Sequence, residues 1–448
     1  MTTRVIIVRH GQSNYNVQKR IQGRSDESVL TPKGEQDAQI LGETLKNYPL
    51  SAIYCSPLQR ALSTAKIIQG RLANSPTLKP LEKLQEIDLP QWENMVKTEV
   101  EQQFAQAYHT WKTQPQTLTM TRITDGGSEE FFPVLSLYQQ AENFWQETLP
   151  QHEGETIVIV AHNGINRCLI MSALGIDPEY YHSLQQSNCC INILNFTGKW
   201  GDSVQLESLN QTAHLGVAIP PTRSQENPLR LLLVRHGETE WNRAGRFQGI
   251  KDIPLNDRGR EQGRLTGEFL KDVPLTFAIS SPMLRPKETA EIILQHHPNI
   301  TLETFADLVE ICHGLWEGKL ETEIEADYPG LLQAWKDTPE TVQMPEGENL
   351  TQVWTRAIAC WQNIVKTKSS AAEPQVGIVV AHDAINKVII CALLGLNPAN
   401  FWNIKQGNGA VTVIDYPQGS EGKPVLQAMN LTSHLGFGIL DQTAAGAL

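Results

Sequence analysis

Val5-Ile-Ile-Val-Arg-His-Gly-Gln12 returns later in the same chain as Leu231-Leu-Leu-Val-Arg-His-Gly-Glu238. Each copy opens on a short continuous apolar run, which suits a strand buried on both faces. Each closes on a polar Arg-His pair beside a glycine, where a ligand can approach the backbone. An isolated Arg-His-Gly is more often a hydrogen-bonded turn than a site. The repeat changes that weighting, because the matching continues in the same order downstream. Ser56-Pro-Leu-Gln-Arg60 answers Ser281-Pro-Met-Leu-Arg285, Glu86-Ile87 answers Glu310-Ile311, and Val160-Ala-His162 answers Val380-Ala-His382. Thr212-Ala-His-Leu-Gly216 and Thr432-Ser-His-Leu-Gly436 close the two copies. The interval drifts only from 226 residues (Arg9 to Arg235) to 220 (His162 to His382). The chain is therefore read as a duplication of one fold, with domains at 1–222 and 223–448. Ile219–Pro228, proline-rich and polar, serves as the linker.

Strand-like and helix-like patterns alternate within each half. After the opening strand comes a helix from Pro32 to about Asn47, or from about Asp257 to Lys271. Apolar runs at Ala52–Cys55 and Phe277–Ile279 follow, then helices at Pro57–Leu72 and Pro282–Gln295, with proline in the first turn. Thr156–Val160 and Gln375–Val380 are further buried strands with helices after them. This alternation predicts two tandem α/β domains of three-layer α/β/α type with mainly parallel sheets. Ligands in such sheets bind beyond the carboxyl ends of the strands. Both Arg-His and both Ala-His pairs fall at that edge.

The bulk composition narrows the function. The chain has 448 residues, 40% hydrophobic and 19% charged, as in a soluble globular protein of two or three domains. Its net charge of −12 argues against nucleic-acid and anionic-membrane surfaces. Any phosphate site must then be a local concentration of cations. Seven scattered cysteines without CxxC spacing read as reduced, mostly buried thiols, and Cys189–Cys190 as two small residues at a strand edge rather than a redox pair. No signal peptide or membrane span is predicted, and a cytoplasmic protein is expected.

Two arginines and two histidines per half outline a clamp for a tetrahedral dianion, since guanidinium groups match phosphate oxygens and a helix start attracts anions. A carboxylic acid at Glu86 or Glu310 supplies the proton that a leaving alkoxide needs. A carboxyl group beside a phosphate is protonated more easily than one in water. No carboxylate cluster or HxxxH spacing accompanies the histidines, so a metal hydrolase is disfavoured.

Arg9-His-Gly-Gln-Ser-Asn-Tyr-Asn16 and Arg235-His-Gly-Glu-Thr-Glu-Trp-Asn242, with the downstream set, resemble the histidine phosphatase (phosphoglycerate mutase-like) superfamily. The resemblance covers nearly the whole chain, once per half. It implies that His10 and His236 become phosphohistidines, and that Glu86 and Glu310 protonate the leaving oxygen and then activate water. Arg9, Arg60 and His162, with Arg235, Arg285 and His382, would hold the phosphoryl oxygens, and Asn16 and Asn242 would line the pocket. No metal or cofactor is implied. Leu84–Leu89, Leu184–Cys189 and Leu209–Thr212 further resemble a two-domain plant branch of the family that acts on a phosphorylated sugar acid.

The expected activity is a phosphomonoesterase for small phosphorylated sugar acids or sugars. Phosphoserine phosphatase, α-ribazole phosphatase and phosphoglycerate mutase activities are alternatives of the same chemistry. In a different class, one half would be a non-catalytic phosphometabolite-binding or dimerising module. The expected partner is a small phosphorylated metabolite, with no nucleic acid or membrane, and a homodimer is allowed. Asp383 follows His382 where the first half has Asn163, which places a carboxylate beside a phosphate pocket. The first half is thus the expected sugar-acid site, and the second an active site of different preference. Specificity is assigned to segments 90–133 and 314–349, read as helical caps with matched tryptophans (Trp92 with Trp316, Trp111 with Trp335). Arg24 and Arg122, confined to the first half, are candidates for a substrate carboxylate.

Overall fold

A computed structural model describes residues 2–124, 126–222 and 229–444. By internal contacts the chain divides into Met1–Ala218 and Ile219–Leu448. The linker's Arg223–Pro228 portion lies outside the described residues.

In the first unit, strand β1 (Thr3–Arg9) is followed by helix α1 (Pro32–Leu45), β2 (Ala52–Cys55), α2 (Gln59–Gln69) and β3 (Thr77–Pro80). Next come α3 (Pro133–Thr148), β4 (Thr156–Ala161), α4 (Asn163–Leu174), β5 (Ile191–Phe196) and β6 (Val204–Gln211). The sheet order is β6-β5-β1-β4-β2-β3. Strands β1, β4, β2 and β3 run parallel, and the β5–β6 hairpin joins antiparallel to β1. The second unit repeats the plan with β7 (Leu229–Arg235), α5 (Asp257–Leu270), β8 (Phe277–Ser280), α6 (Leu284–Leu294) and β9 (Leu302–Thr304). It ends with α7 (Leu350–Ser369), β10 (Gln375–Ala381), α8 (Asp383–Leu393), β11 (Val411–Tyr416) and β12 (Val425–Leu431). Its order is β9-β8-β10-β7-β11-β12.

Val5–Val8 and Leu231–Val234 are fully buried, which requires cover on both faces of the strand. Helix pairs supply it, α1 with α2 and α3 with α4 in the first unit. Each such side chain stabilises the fold by about 1.5–3 kcal/mol relative to exposure. Six of the seven cysteines are buried and all are free, including Cys189 and Cys190.

Two expectations need correction. Helices α2 and α6 begin at Gln59 and Leu284, so Pro57 and Pro282 precede the caps instead of occupying the first turn. The first-half cap region is not wholly helical. After two short helices, Lys97–Gln103 and Ala105–Thr113, it forms a hairpin of Met120–Thr124 with Gly127–Phe131. Residues 120–124 read Met-Thr-Arg-Ile-Thr, and three β-branched residues in five suit a strand better than a helix. Trp92 is buried against Phe104, Tyr108 and Trp111, so it packs the cap's own core.

Candidate active site

Strand β1 delivers Arg9 at its last position and His10 just beyond, where the His10 amide still bonds to Ala161 at the end of β4 (2.9 Å). His236 bonds likewise to Ala381 (3.0 Å). A close crossing of two glycines turns the chain there. A Cβ on Gly11 would sit 2.4 Å from the Gly34 carbonyl oxygen, and one on Gly237 would sit 2.3 Å from that of Gly259. Only glycine fits at these crossings.

The tautomers of His10 and His236 follow from their partners. His10 Nδ1 lies 2.7 Å from the Gly11 carbonyl, and His236 Nδ1 lies 2.7 Å from that of Gly237. A carbonyl only accepts, so Nδ1 carries the proton and Nε2 carries a lone pair. In the second site Arg285 Nε, a donor only, reaches His236 Nε2 at 3.2 Å and requires the same assignment. Burial, and then the charges of Arg9 and Arg60, hold His10 well below the usual histidine value; for His236 the causes are burial, Arg285 and Arg235. Both rings are neutral.

The arginines are fixed through part of their donor sets. Arg9 and Arg235 donate to the carbonyls of Gln186 (2.9 Å) and Gln406 (2.6 Å). Arg60 donates to Ser25 and Gly23, and Arg285 to Lys251 and Gly249. Burial lowers Arg60 and Arg285 to about 10, so both remain cations at neutral pH. The buried Nε of Arg9, Arg60 and Arg235 has no protein partner, and neither ring nitrogen of His162 has one. His162 stands 5.2 Å from His10 between ring centroids, and His382 stands 5.2 Å from His236. Unmet donors in a buried cluster of cations suit an oxyanion.

The surroundings of Glu86 and Glu310, the two candidate acids, differ. Glu86 takes backbone N–H bonds from Ile87 (2.9 Å), Gly164 (3.0 Å) and Ile165 (3.1 Å), the last two at the start of α4. Glu310 takes one from Ile311 (3.0 Å) and a long one from Ala384 (3.4 Å). Burial and then Asp383 hold the Glu310 carboxyl above the usual range.

Asn16 and Asn242 sit in capping boxes. The Asn16 side-chain oxygen accepts from the Ser13 amide and hydroxyl (both 3.0 Å), and that of Asn242 from Thr239 (both 3.2 Å). Of the two first-half arginines, Arg122 is committed to Glu129 (3.0 Å) and Asp88 (3.9 Å). Arg24 instead borders the acid, with Nε on the Glu86 carbonyl (3.3 Å) and Nη2 on the Gln140 amide oxygen (3.0 Å).

Asn188 and Asn408 are site residues that the motif reading passed over. Asn188 Nδ2 donates to the His10 carbonyl (2.9 Å) and to Asn16 (3.2 Å), and Asn408 does the same with His236 (3.2 Å) and Asn242 (3.3 Å). Their loops are held from below by Asn210 and Asn430, whose side chains accept from Ser187 and Gly407 (both 2.7 Å). Both asparagines have positive φ at bulges between the hairpin strands. His214 and His434 of the closing motifs meet the carbonyls of Cys189 and Gly409 (both 3.1 Å). The sequence signal was there: an asparagine at matched positions 188 and 408.

Among the described residues no group of three or more His, Cys, Asp and Glu side chains could hold a metal. No helix there is long and apolar enough to cross a membrane.

Comparison with known proteins agrees with this geometry. A 2-carboxy-D-arabinitol-1-phosphatase of Triticum aestivum is 32% identical over 445 residues, 97% of this chain and 86% of that protein. A probable 2-carboxy-D-arabinitol-1-phosphatase of Arabidopsis thaliana is 29% identical over 97% of this chain and 88% of its own length. Phosphoserine phosphatase 1 of Hydrogenobacter thermophilus is 33% identical over 46% of this chain and 95% of its own. The profile of the histidine phosphatase superfamily (branch 1) matches residues 5–211 and again 231–432. With nearly all of both halves matched, and both carrying the same clamp, the chain belongs to the histidine phosphatase superfamily and is a phosphatase.

Proposed function

We propose that both halves hydrolyse phosphomonoesters without a metal, through phosphorylated His10 and His236, and that the substrates are small phosphorylated sugar acids or sugars. One observation carries the reading. Each histidine has its Nδ1 proton committed to the adjacent glycine carbonyl, which leaves Nε2 as a neutral nucleophile among buried cations.

The phosphoryl group is held by Arg9, Arg60 and His162, or by Arg235, Arg285 and His382. Nε2 attacks phosphorus in line, and the N–P bond forms as the bond to the alcohol oxygen breaks. Glu86 or Glu310 gives its proton to that oxygen. The resulting carboxylate then takes a proton from water as the water oxygen attacks phosphorus. The N–P bond breaks, its electron pair returns to Nε2, and inorganic phosphate leaves. Splitting one displacement in two is the gain of a covalent intermediate, and preorganised donors around the transferring group supply most of the stabilisation.

The wheat and Arabidopsis relatives, matched over both halves, favour a sugar-acid phosphate such as 2-carboxy-D-arabinitol 1-phosphate for the first site. Phosphoserine is a second candidate, since it also joins a phosphate to a carboxylate and a phosphoserine phosphatase matches half of the chain. A cytoplasmic location completes the proposal.

The test is phosphate release from sugar phosphates, phosphoserine and 3-phosphoglycerate by the His10→Ala and His236→Ala variants. Each should lose one site's share of turnover, and a denaturing quench at alkaline pH should trap base-stable, acid-labile phosphate on the remaining histidine. Unchanged release from every substrate in both variants would sink the reading.

A further inference from the structure

The two clamps match residue for residue, but two neighbours of opposite electrostatic effect do not. At the first position of the helix after the second histidine, the first half has Asn163 and the second has Asp383. Asp383 is buried at 2% exposure, with Oδ1 3.1 Å from Arg235 Nη1 and Oδ2 2.6 Å from Lys387 Nζ. Arg235 is the clamp arginine at the end of β7. Among the described residues the matching Arg9 has no such carboxylate paired with it, and Arg167, which matches Lys387, bonds to the Leu184 carbonyl (2.7 Å). The side-chain oxygen of Asn163 is buried and has no partner.

The second difference lies beside the acid. Arg24 and Ile250 are equivalent by their surroundings as well as by sequence. Their amides bond to Glu93 and Glu317, and the carbonyls one residue on accept from Arg60 and Arg285. Arg24 carries its charge to the Glu86 backbone, and its two bonds there go to neutral oxygens. Ile250 is 49% exposed and brings no charge. Arg356, which reaches the Glu310 carbonyl in the second half (3.0 Å), is neutralised by a two-point pair with Glu348 (both 2.9 Å). Lys251, which follows Ile250, is exposed, where water screens its charge.

We propose that Asp383 and Ile250 are specificity-determining residues that fit the second site to phosphomonoesters of uncharged alcohols, whereas Asn163 and Arg24 fit the first to phosphomonoesters that also carry a carboxylate. The proposal rests on the reading that both clamps hold a phosphoryl group. A dianion entering the second clamp shares Arg235 with a resident carboxylate, and any further negative charge on the substrate adds to that repulsion. Unit charges several ångströms apart in a partly buried site change affinity by about tenfold or more. In the first site the alcohol departs toward Glu86, where the Arg24 cation meets a carboxylate on the leaving group.

The closing experiment separates binding from turnover. Arg285→Ala leaves only the first clamp intact, and Arg60→Ala only the second. Inorganic phosphate is titrated into each by calorimetry at about pH 8, where it is mostly dianionic. The first clamp should bind about tenfold more tightly. Asp383→Asn on the Arg60→Ala chain should close most of that gap. The reciprocal Asn163→Asp on the Arg285→Ala chain should open a similar one in a site that had no ion pair to lose. Turnover is then compared on 3-phosphoglycerate and glycerol 3-phosphate, which differ in a carboxylate. The first site alone (His236→Ala) should favour the acid, Arg24→Ile should erase that preference, and the second site alone (His10→Ala) should favour the neutral alcohol. Equal phosphate affinities that respond to neither exchange, or a second site that prefers 3-phosphoglycerate, would overturn the proposal. If the affinities behave as stated while neither isolated site releases phosphate, the hydrolytic reading fails and the charge assignment stands.

Discussion

Gly164→Ala, made in a chain whose second site is silenced by His236→Ala, measures how closely the first site locates its acid. A Cβ at this position falls 2.4 Å from the Tyr181 hydroxyl and 2.5 Å from Glu86 Oε1. Non-bonded contacts to carbon settle near about 3.5 Å, so one of these buried groups must move by roughly an ångström. Glu86 is the more exposed of the two, 8% against 2%, and will yield first. Its movement breaks the 3.0 Å bond from the Gly164 amide. Misplacing a reacting group by about 1 Å costs on the order of 10²-fold in rate, which is about 2.7 kcal/mol of barrier. Overpacking should also lower stability by about 1–3 kcal/mol.

Steady-state phosphate release should therefore show kcat reduced about a hundredfold. KM should change little, because Arg9, Arg60 and His162 are untouched. Adding Tyr181→Phe removes one of the two clashes, and the second half already pairs Ala384 with Phe401. The double variant should recover about tenfold in kcat. If Gly164→Ala keeps kcat within about twofold, or if Tyr181→Phe alone loses as much, the acid is not positioned by this contact.

Asn188→Ala and Asn408→Ala should each slow their own site by about tenfold by freeing the nucleophile's carbonyl, read in the isolated-site assay; an unchanged kcat would mean the glycine crossing alone holds the histidine. Full activity should persist in EDTA, and activity lost there and restored by a divalent ion would contradict the metal-free scheme. Acid should destabilise the fold steeply. Burial holds His10, His162, His214, His236, His313, His382 and His434 below their usual values, to about 4 for His214 and His434 and about 3 for His313. The unfolded chain takes up these protons below about pH 6.5, and the folded chain only at lower pH. Stability is thus full above about pH 6.5 and falls as pH drops, by up to about 1.4 kcal/mol per unit for each histidine. Melting temperature followed from about pH 7.5 to 5 should fall sharply, and a flat profile would refute the buried neutral state of these rings.

Much of the site was legible because its residues sit at strand ends, where period and polarity switch together. The runs Val5–Val8 and Leu231–Val234 announce strands by burial, and the Arg-His pairs that end them are placed by the strand itself. Repetition supplied the rest, since Arg60, Glu86 and His162 mean little singly. The hairpin at Met120–Phe131 escaped because a few β-branched residues inside a helix-rich segment are a weak local signal. Arg122 and Arg24 looked alike on paper. Ion pairing occupies the first with Glu129 and Asp88, while the second reaches the carbonyl of the acid.

The amino-acid sequence alone determined the duplication, the α/β class and the candidate residues of the clamp, because buried strands and matched polar residues are local properties of the chain. Tertiary structure decided what depends on distant residues meeting. Packing between residues far apart in sequence places Arg285 on Nε2 of His236, anchors His10 through Asn188, and seats Glu86 on the start of α4. It also decided that Asp383 sits on a clamp arginine 148 residues earlier in the chain (Arg235 to Asp383). Contacts of that kind are made by the fold, and no local pattern encodes their distances.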